Sequence, residues 1–128
     1  MTIRFDHTLI PARAKHASAQ FFTEMFGLPD ARADGLFLSV GLDGGVHIDF
    51  AEPPIDFPPH HYAFLVDDDD FDALLARIEE RGIPHWADPR MSRTGINTNH
   101  GGRGVYFDDP SGHHLEAITR PYGYVTPE

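Results

Sequence analysis

The chain contains no cysteine in its 128 residues. Disulfides and thiolate ligands are therefore excluded, and any metal ion must be held by imidazole and carboxylate groups. Basic residues are also scarce, with 10 Lys and Arg against 20 Asp and Glu and a formal net charge of −10. Such a surface repels phosphate backbones and anionic bilayers, so neither nucleic acid nor a membrane is an expected partner. No apolar run approaches the length that spans a bilayer, and the opening MTIRFDHTLI shows no basic stretch followed by a long apolar core. A cytoplasmic location is the expectation. Histidine, by contrast, is plentiful at nine residues, and a 41% hydrophobic, 12% aromatic composition suits one compact domain over residues 1–128.

The chain repeats its own pattern. A strand-like run, IRFDHTLI, carries His7, and the helix-like run KHASAQFFTEMF follows until Gly27-Leu28-Pro29 stops it. Later HYAFLV carries His61, FDALLARIEERG follows, and Gly82-Ile83-Pro84 stops it. Phe71, Leu74, Leu75 and Ile78 fall at helical spacing, with Asp69 and Asp70 where a helix start favours acids. The acidic run 67–70 reads as that solvated helix start rather than as a cation loop. Extended runs are expected at 36–42 and 46–51 in the first half and at 84–87, 104–107 and 113–119 in the second. The proline-rich EPPIDFPP, residues 52–59, cannot pair as an inner strand and reads as a linker. Module 1 is thus about 3–51 and module 2 about 60–120. The polar stretch 88–102 has no counterpart in the first half and is expected to form a mobile lid, where Arg90 and Arg93, with the adjoining Arg103, could meet an anionic substrate.

Strand side chains alternate faces, so parity decides which can meet. His47 shares a face with Asp49, and His114 shares one with Glu116 and Ile118. Glu116 interrupts an apolar strand, where a lone carboxylate costs several kcal/mol unless it is paired. A histidine early in the first strand of each half can face a carboxylate in the last strand. If both sheets curve alike, His7, Asp49, His61 and Glu116 converge, and Glu116 pairs with a bound cation. Two histidines and one carboxylate leave open positions that suit a divalent ion: Fe(II), Mn(II), Zn(II) or Ni(II). Asp49 is either a fourth ligand or a strand residue that only supports one, and any lone strand histidine can equally be a hydrogen-bonded core residue. The neighbours His47, His60, His113 and His114 read as mostly surface.

The stretches FDHTLI, FFTEMFGLP, HYAFLV and VYFDDPSGHHLEAI, followed by TRPYG, resemble the vicinal oxygen chelate superfamily of glyoxalase I, extradiol dioxygenases, fosfomycin-resistance proteins and bleomycin-binding proteins. The resemblance spans about residues 3–120 and implies an α+β fold of two paired βαβββ modules forming a cupped mixed sheet around a metal cleft. It places the metal positions on His7, His61 and Glu116, with Asp49 where glyoxalase I carries a fourth ligand. Extradiol dioxygenases further resemble the order His100, Tyr106, Pro110, Gly112, Glu116, which implies His100 as acid–base and Tyr106 as a substrate-positioning group; the alternative is a loop histidine and a packed strand aromatic. Fosfomycin transferases are less similar, because Leu9 stands where they carry threonine. The implied function is a metal-dependent lyase or dioxygenase acting on a small oxygen-rich substrate that chelates the ion, in a homodimer whose cleft lies within one chain or between two. A non-catalytic small-molecule binding or resistance protein is the alternative.

Overall fold

In the computed structural model, which describes residues 1–123, the chain folds as two compact units. The first comprises residues 1–59 together with 109–112, and the second residues 60–108 with the chain from 113 onward. In the first unit β1 (His7–Pro11), α1 (Lys15–Phe26), β2 (Arg32–Asp34), β3 (Phe37–Gly41) and β4 (His47–Ala51) build a sheet in the order β1-β4-β3-β2. In the second, β5 (His61–Leu65), α2 (Asp68–Glu80), β6 (His85–Trp86), β7 (Gly104–Asp108) and β8 (His114–Ile118) repeat that order as β5-β8-β7-β6. The first and last strands of each unit pair in parallel and the remaining pairs are antiparallel. The α+β class with two βαβββ modules is the architecture the sequence implies.

One face of each sheet is apolar and buried. In the first unit Ile10, Leu38, Val40, Ile48 and Phe50 share it, and α1 lays Ala19, Phe22 and Met25 on that side, with the Phe22 and Phe50 rings 5.9 Å apart. In the second unit Val105, Phe107, Leu115 and Ala117 are buried with the α2 stripe of Phe71, Leu74 and Ile78. The opposite face of each sheet is therefore left for polar side chains.

Both helices stop the same way. The Leu28 amide donates to the Thr23 carbonyl at 2.8 Å, and the Ile83 amide donates to the Ile78 carbonyl at 3.0 Å. Gly27 (φ 68°) and Gly82 (φ 64°) supply the left-handed residue that this closure needs. Their starts differ. Ala14 gives α1 no side-chain cap, and the Glu52 carboxylate from the linker accepts the Lys15 amide instead, at 2.9 Å. Helix α2 begins at Asp68, three residues before the apolar pattern starts, because acids suit the positive end of a helix. Strand β2 was not anticipated: all three of its residues are exposed, so no apolar alternation marks it. The strand expected over 84–87 shrinks to His85–Trp86.

The stretch 88–102 is fastened along its length. Asp88 accepts the amides of Ser92 and Arg93, the Ala87 amide donates to the Arg93 carbonyl, and Trp86 bridges Thr94. Buried Asn97 exchanges backbone bonds with Gly104, and its side-chain amide donates to the Ala87 carbonyl at 2.8 Å. A Cβ on Gly104 would come within 2.9 Å of the Asn97 amide, so only glycine fits there. This is a more firmly held segment than a hinged cover requires. Arg103 is also committed rather than awaiting a substrate: its guanidinium donates to Asp72 at 2.6 Å and lies over the Phe71 ring.

Two substitutions test this description. Gly82→Ala meets no neighbouring atom and so isolates backbone strain; it should lower stability by about 1 kcal/mol in urea unfolding. Asn97→Ala leaves the Ala87 carbonyl without its amide donor and should cost about 1–3 kcal/mol, with faster amide exchange concentrated between residues 87 and 104.

Candidate functional site

Strand register places the site. In the second unit His61 lies beside His114 across the β5–β8 pair, and Tyr106 lies beside Glu116 across β7–β8. All four share the face opposite the apolar core. Glu116 is 1% exposed, so its carboxylate requires partners. The His61 Nε2 atom is 2.9 Å from Glu116 Oε1, and the Tyr122 hydroxyl donates to Glu116 Oε2 at 2.5 Å. Tyr106 stands beside Glu116 in the neighbouring strand, on the same face. Burial first, and the Glu116 carboxylate next, push both phenols above their ordinary range. An imidazole and a phenol thus meet the two oxygens of Glu116, the carboxylate on which the sequence reading placed a bound cation.

Beside this cluster lies a small recess of about 80 Å³. His61, Tyr106 and His114 line it with Trp86, Pro89 and Met91, the last two from the 88–102 segment. The His114 Nδ1 is 2.7 Å from Asp108 Oδ1, which fixes the ring. His100 does not line the recess; its ring stacks on Tyr122 with centroids 4.3 Å apart. Tyr122 carries no sequence signal beyond its place in TRPYG, because it lies past the last strand, where alternation no longer applies.

The first unit repeats the plan with different residues. His7 lies beside His47, and Ser39 lies beside Asp49, on the face away from its core. The His7 and His47 rings stack at 4.8 Å. Asp6 Oδ2 takes the Nδ1 of His7 at 2.6 Å; that bond raises the His7 pKa and lowers that of Asp6. Asp6, His7 and His47 offer ligand atoms within 4.8 Å of one another. Asp49 stands outside that group: the Ser39 hydroxyl donates to one of its oxygens, and the other is 3.6 Å from His47 Nε2. The structure thus joins His61, Glu116 and Tyr106 in the second unit and groups His7 with Asp6 and His47 in the first.

The tandem histidines are not all surface groups. His113 is fully buried, and its Nδ1 accepts the His60 amide at 2.8 Å. Its parity is opposite to that of His114, which turns it toward the core, where a backbone donor makes an imidazole tolerable.

The donor set of the second unit suits a divalent ion. Two ligands held at right angles and about 2.1 Å from one ion lie about 3.0 Å apart, close to the observed His61–Glu116 spacing. The second carboxylate oxygen is already engaged by the Tyr122 phenol, as the free oxygen of a metal-bound carboxylate commonly is by an outer partner.

Known proteins share this sequence pattern and fold. The family model "Glyoxalase/Bleomycin resistance protein/Dioxygenase superfamily" matches residues 4–117. The solved structures of "Oxidase ChaP-H1" and "Oxidase ChaP-H2" are each 48% identical, with TM-scores of 0.92 and 0.91; both cover 96% of this chain, and the matches cover 100% and 98% of theirs. "Glutathione transferase FosA" of Serratia marcescens is 31% identical over 87% of this chain and 77% of its own length. A lactoylglutathione lyase from Agrobacterium tumefaciens, 20% identical with a TM-score of 0.69 over 91% of this chain and 92% of its own, shares the fold. Matched from its first strand to its last, the chain belongs to the glyoxalase/bleomycin resistance protein/dioxygenase superfamily.

Proposed function

We propose that this protein is a metal-dependent oxidative enzyme that binds a small oxygen-rich substrate through two oxygens to one divalent ion, Fe(II) foremost. The observation that carries this reading is the buried Glu116 carboxylate with one oxygen against His61 Nε2 and the other held by Tyr122. A 2-His-1-carboxylate set with open positions is characteristic of non-haem Fe(II) oxygenases. Members of this superfamily use divalent metals, and two relatives at 48% identity are named oxidases, which favours oxidative chemistry over a lyase reaction.

In this reading His61 and Glu116 are two ligands and His7 is the third, supplied by a first module of the same chain or of a second copy. The Asp6 carboxylate on Nδ1 would leave His7 Nε2 as its ligand atom. Asp49 is an optional fourth donor, already engaged by Ser39 and His47. When bound, the ion supplies Lewis acidity and a site for electron transfer to dioxygen. The chain's own residues do the rest. Tyr106 presents a protonated phenol to a substrate oxygen at the recess, and Trp86, Pro89 and Met91 give an apolar wall that excludes water from the remainder of the molecule. His100, stacked on Tyr122, would take part in proton transfer only through that neighbour.

The exposed apolar side chains of Phe5, Leu9 and Leu65 favour a homodimer that covers them. Among the described residues no helix is long and apolar enough to cross a membrane.

Elemental analysis of protein purified without chelator should give about one metal per chain, and Glu116→Ala should lower metal affinity tenfold or more. Unchanged occupancy in that variant would sink the assignment. With catechols as trial substrates, the Fe(II) form should consume dioxygen; turnover of methylglyoxal–thiol adducts without oxygen uptake would instead establish the lyase reading. Sedimentation at micromolar concentration should give twice the 14.3 kDa chain mass.

A further inference from the structure

The Tyr122 hydroxyl is not needed to complete the sheet, the core or the ligand set. It lies beyond β8, its residue is 40% exposed, and yet it reaches back to a carboxylate that is 1% exposed. A phenol donating to a carboxylate makes a charge-assisted bond, stronger than one between neutral groups.

A second contact holds the ring in place. His100 stacks on it although His100 is not glycine and adopts a left-handed backbone, φ 58°. That conformation costs about 1–2 kcal/mol for an ordinary residue, so the surrounding structure must enforce it. The segment before β7 and the segment after β8 thereby meet over one oxygen of Glu116.

The first unit shows what the fold does without this device. Counting six residues on from the strand carboxylate leads from Glu116 to Tyr122, and from Asp49 to Ile55. Ile55 has no hydroxyl and is exposed, and the hydroxyl on Asp49 comes from Ser39 within the sheet. The phenol beyond the last strand is therefore peculiar to the module that carries the recess.

Denticity gives this a consequence. A carboxylate can bind an ion through one oxygen or two, and the second mode uses a position that a chelating substrate would need. We infer that Tyr122 is a positioning residue that holds Glu116 Oε2 away from the ion, keeping the carboxylate a one-oxygen ligand and the site open to a substrate that brings two oxygens. The inference rests on the metal reading above.

Co(II) added to the metal-free full chain is the probe, because its visible absorption reports coordination number. Wild type should bind one Co(II) and then bind catechol. Tyr122→Phe, which keeps the ring and its stack, should bind the same amount of Co(II) with weaker visible bands, as expected for a higher coordination number, and should bind catechol tenfold or more weakly. His100→Ala should move both readouts in the same direction by less. Superimposable Co(II) spectra and equal catechol affinity in wild type and Tyr122→Phe would overturn the inference while leaving the metal site standing. Failure of wild type to take up Co(II) would overturn the metal reading and this inference with it. A circular dichroism spectrum matching wild type shows that each variant compared is folded.

Discussion

A carboxylate buried in the last strand is the constraint around which the second module is organised. Glu116 is 1% exposed, and a carboxylate removed from water needs polar groups in its place. His61 from β5 and Tyr122 from beyond β8 bond to its two oxygens, and Tyr106 stands beside it in β7. The parallel β5–β8 pair and the antiparallel β7–β8 pair must both keep register for this to work, since a one-residue slip would turn the histidine or the tyrosine to the opposite face. Energetic demand at one side chain thus reinforces the pairing of three strands.

Duplication supplies the frame, and side-chain divergence supplies the difference between its two copies. At matched register positions His7 corresponds to His61, His47 to His114, Asp49 to Glu116 and Ser39 to Tyr106. The pair Gly41 and Asp108 follows the same correspondence. Asp108 engages His114, whereas glycine at position 41 leaves His47 to stack on His7. The shorter Asp49 is satisfied by a serine within its own sheet, while the longer Glu116 extends to a phenol and an imidazole. The module with the longer carboxylate is the one with an apolar recess beside its histidine.

Much of this was legible from residue order alone. Strand parity and the matched His-to-Gly spacing identify two modules, both helices and the polar face of each sheet, which carries His7 and Asp49 in the first unit and His61 and Glu116 in the second, because periodicity and helix-stop chemistry are local properties written in neighbouring residues. Strand β2 escaped notice, since a short, fully exposed edge strand has no hydrophobic alternation. The buried state of His113 also escaped, because it depends on a donor 53 positions away, the His60 amide.

What only the tertiary structure decided was the company each polar group keeps. Parity places Glu116 and His61 on one face, but their 2.9 Å approach follows from β8 lying between β5 and β7. Tyr122 sits outside every periodic element, so no pattern could assign it to Glu116; chain reversal after β8 does so. Likewise Arg103 reads as a free cation in sequence and is committed to Asp72 and Phe71 in the fold. The sequence by itself determined which elements form and which way their side chains point, since those rest on local sterics and periodicity. Which groups meet rests on contacts between residues far apart in the chain, and only the folded protein settles them.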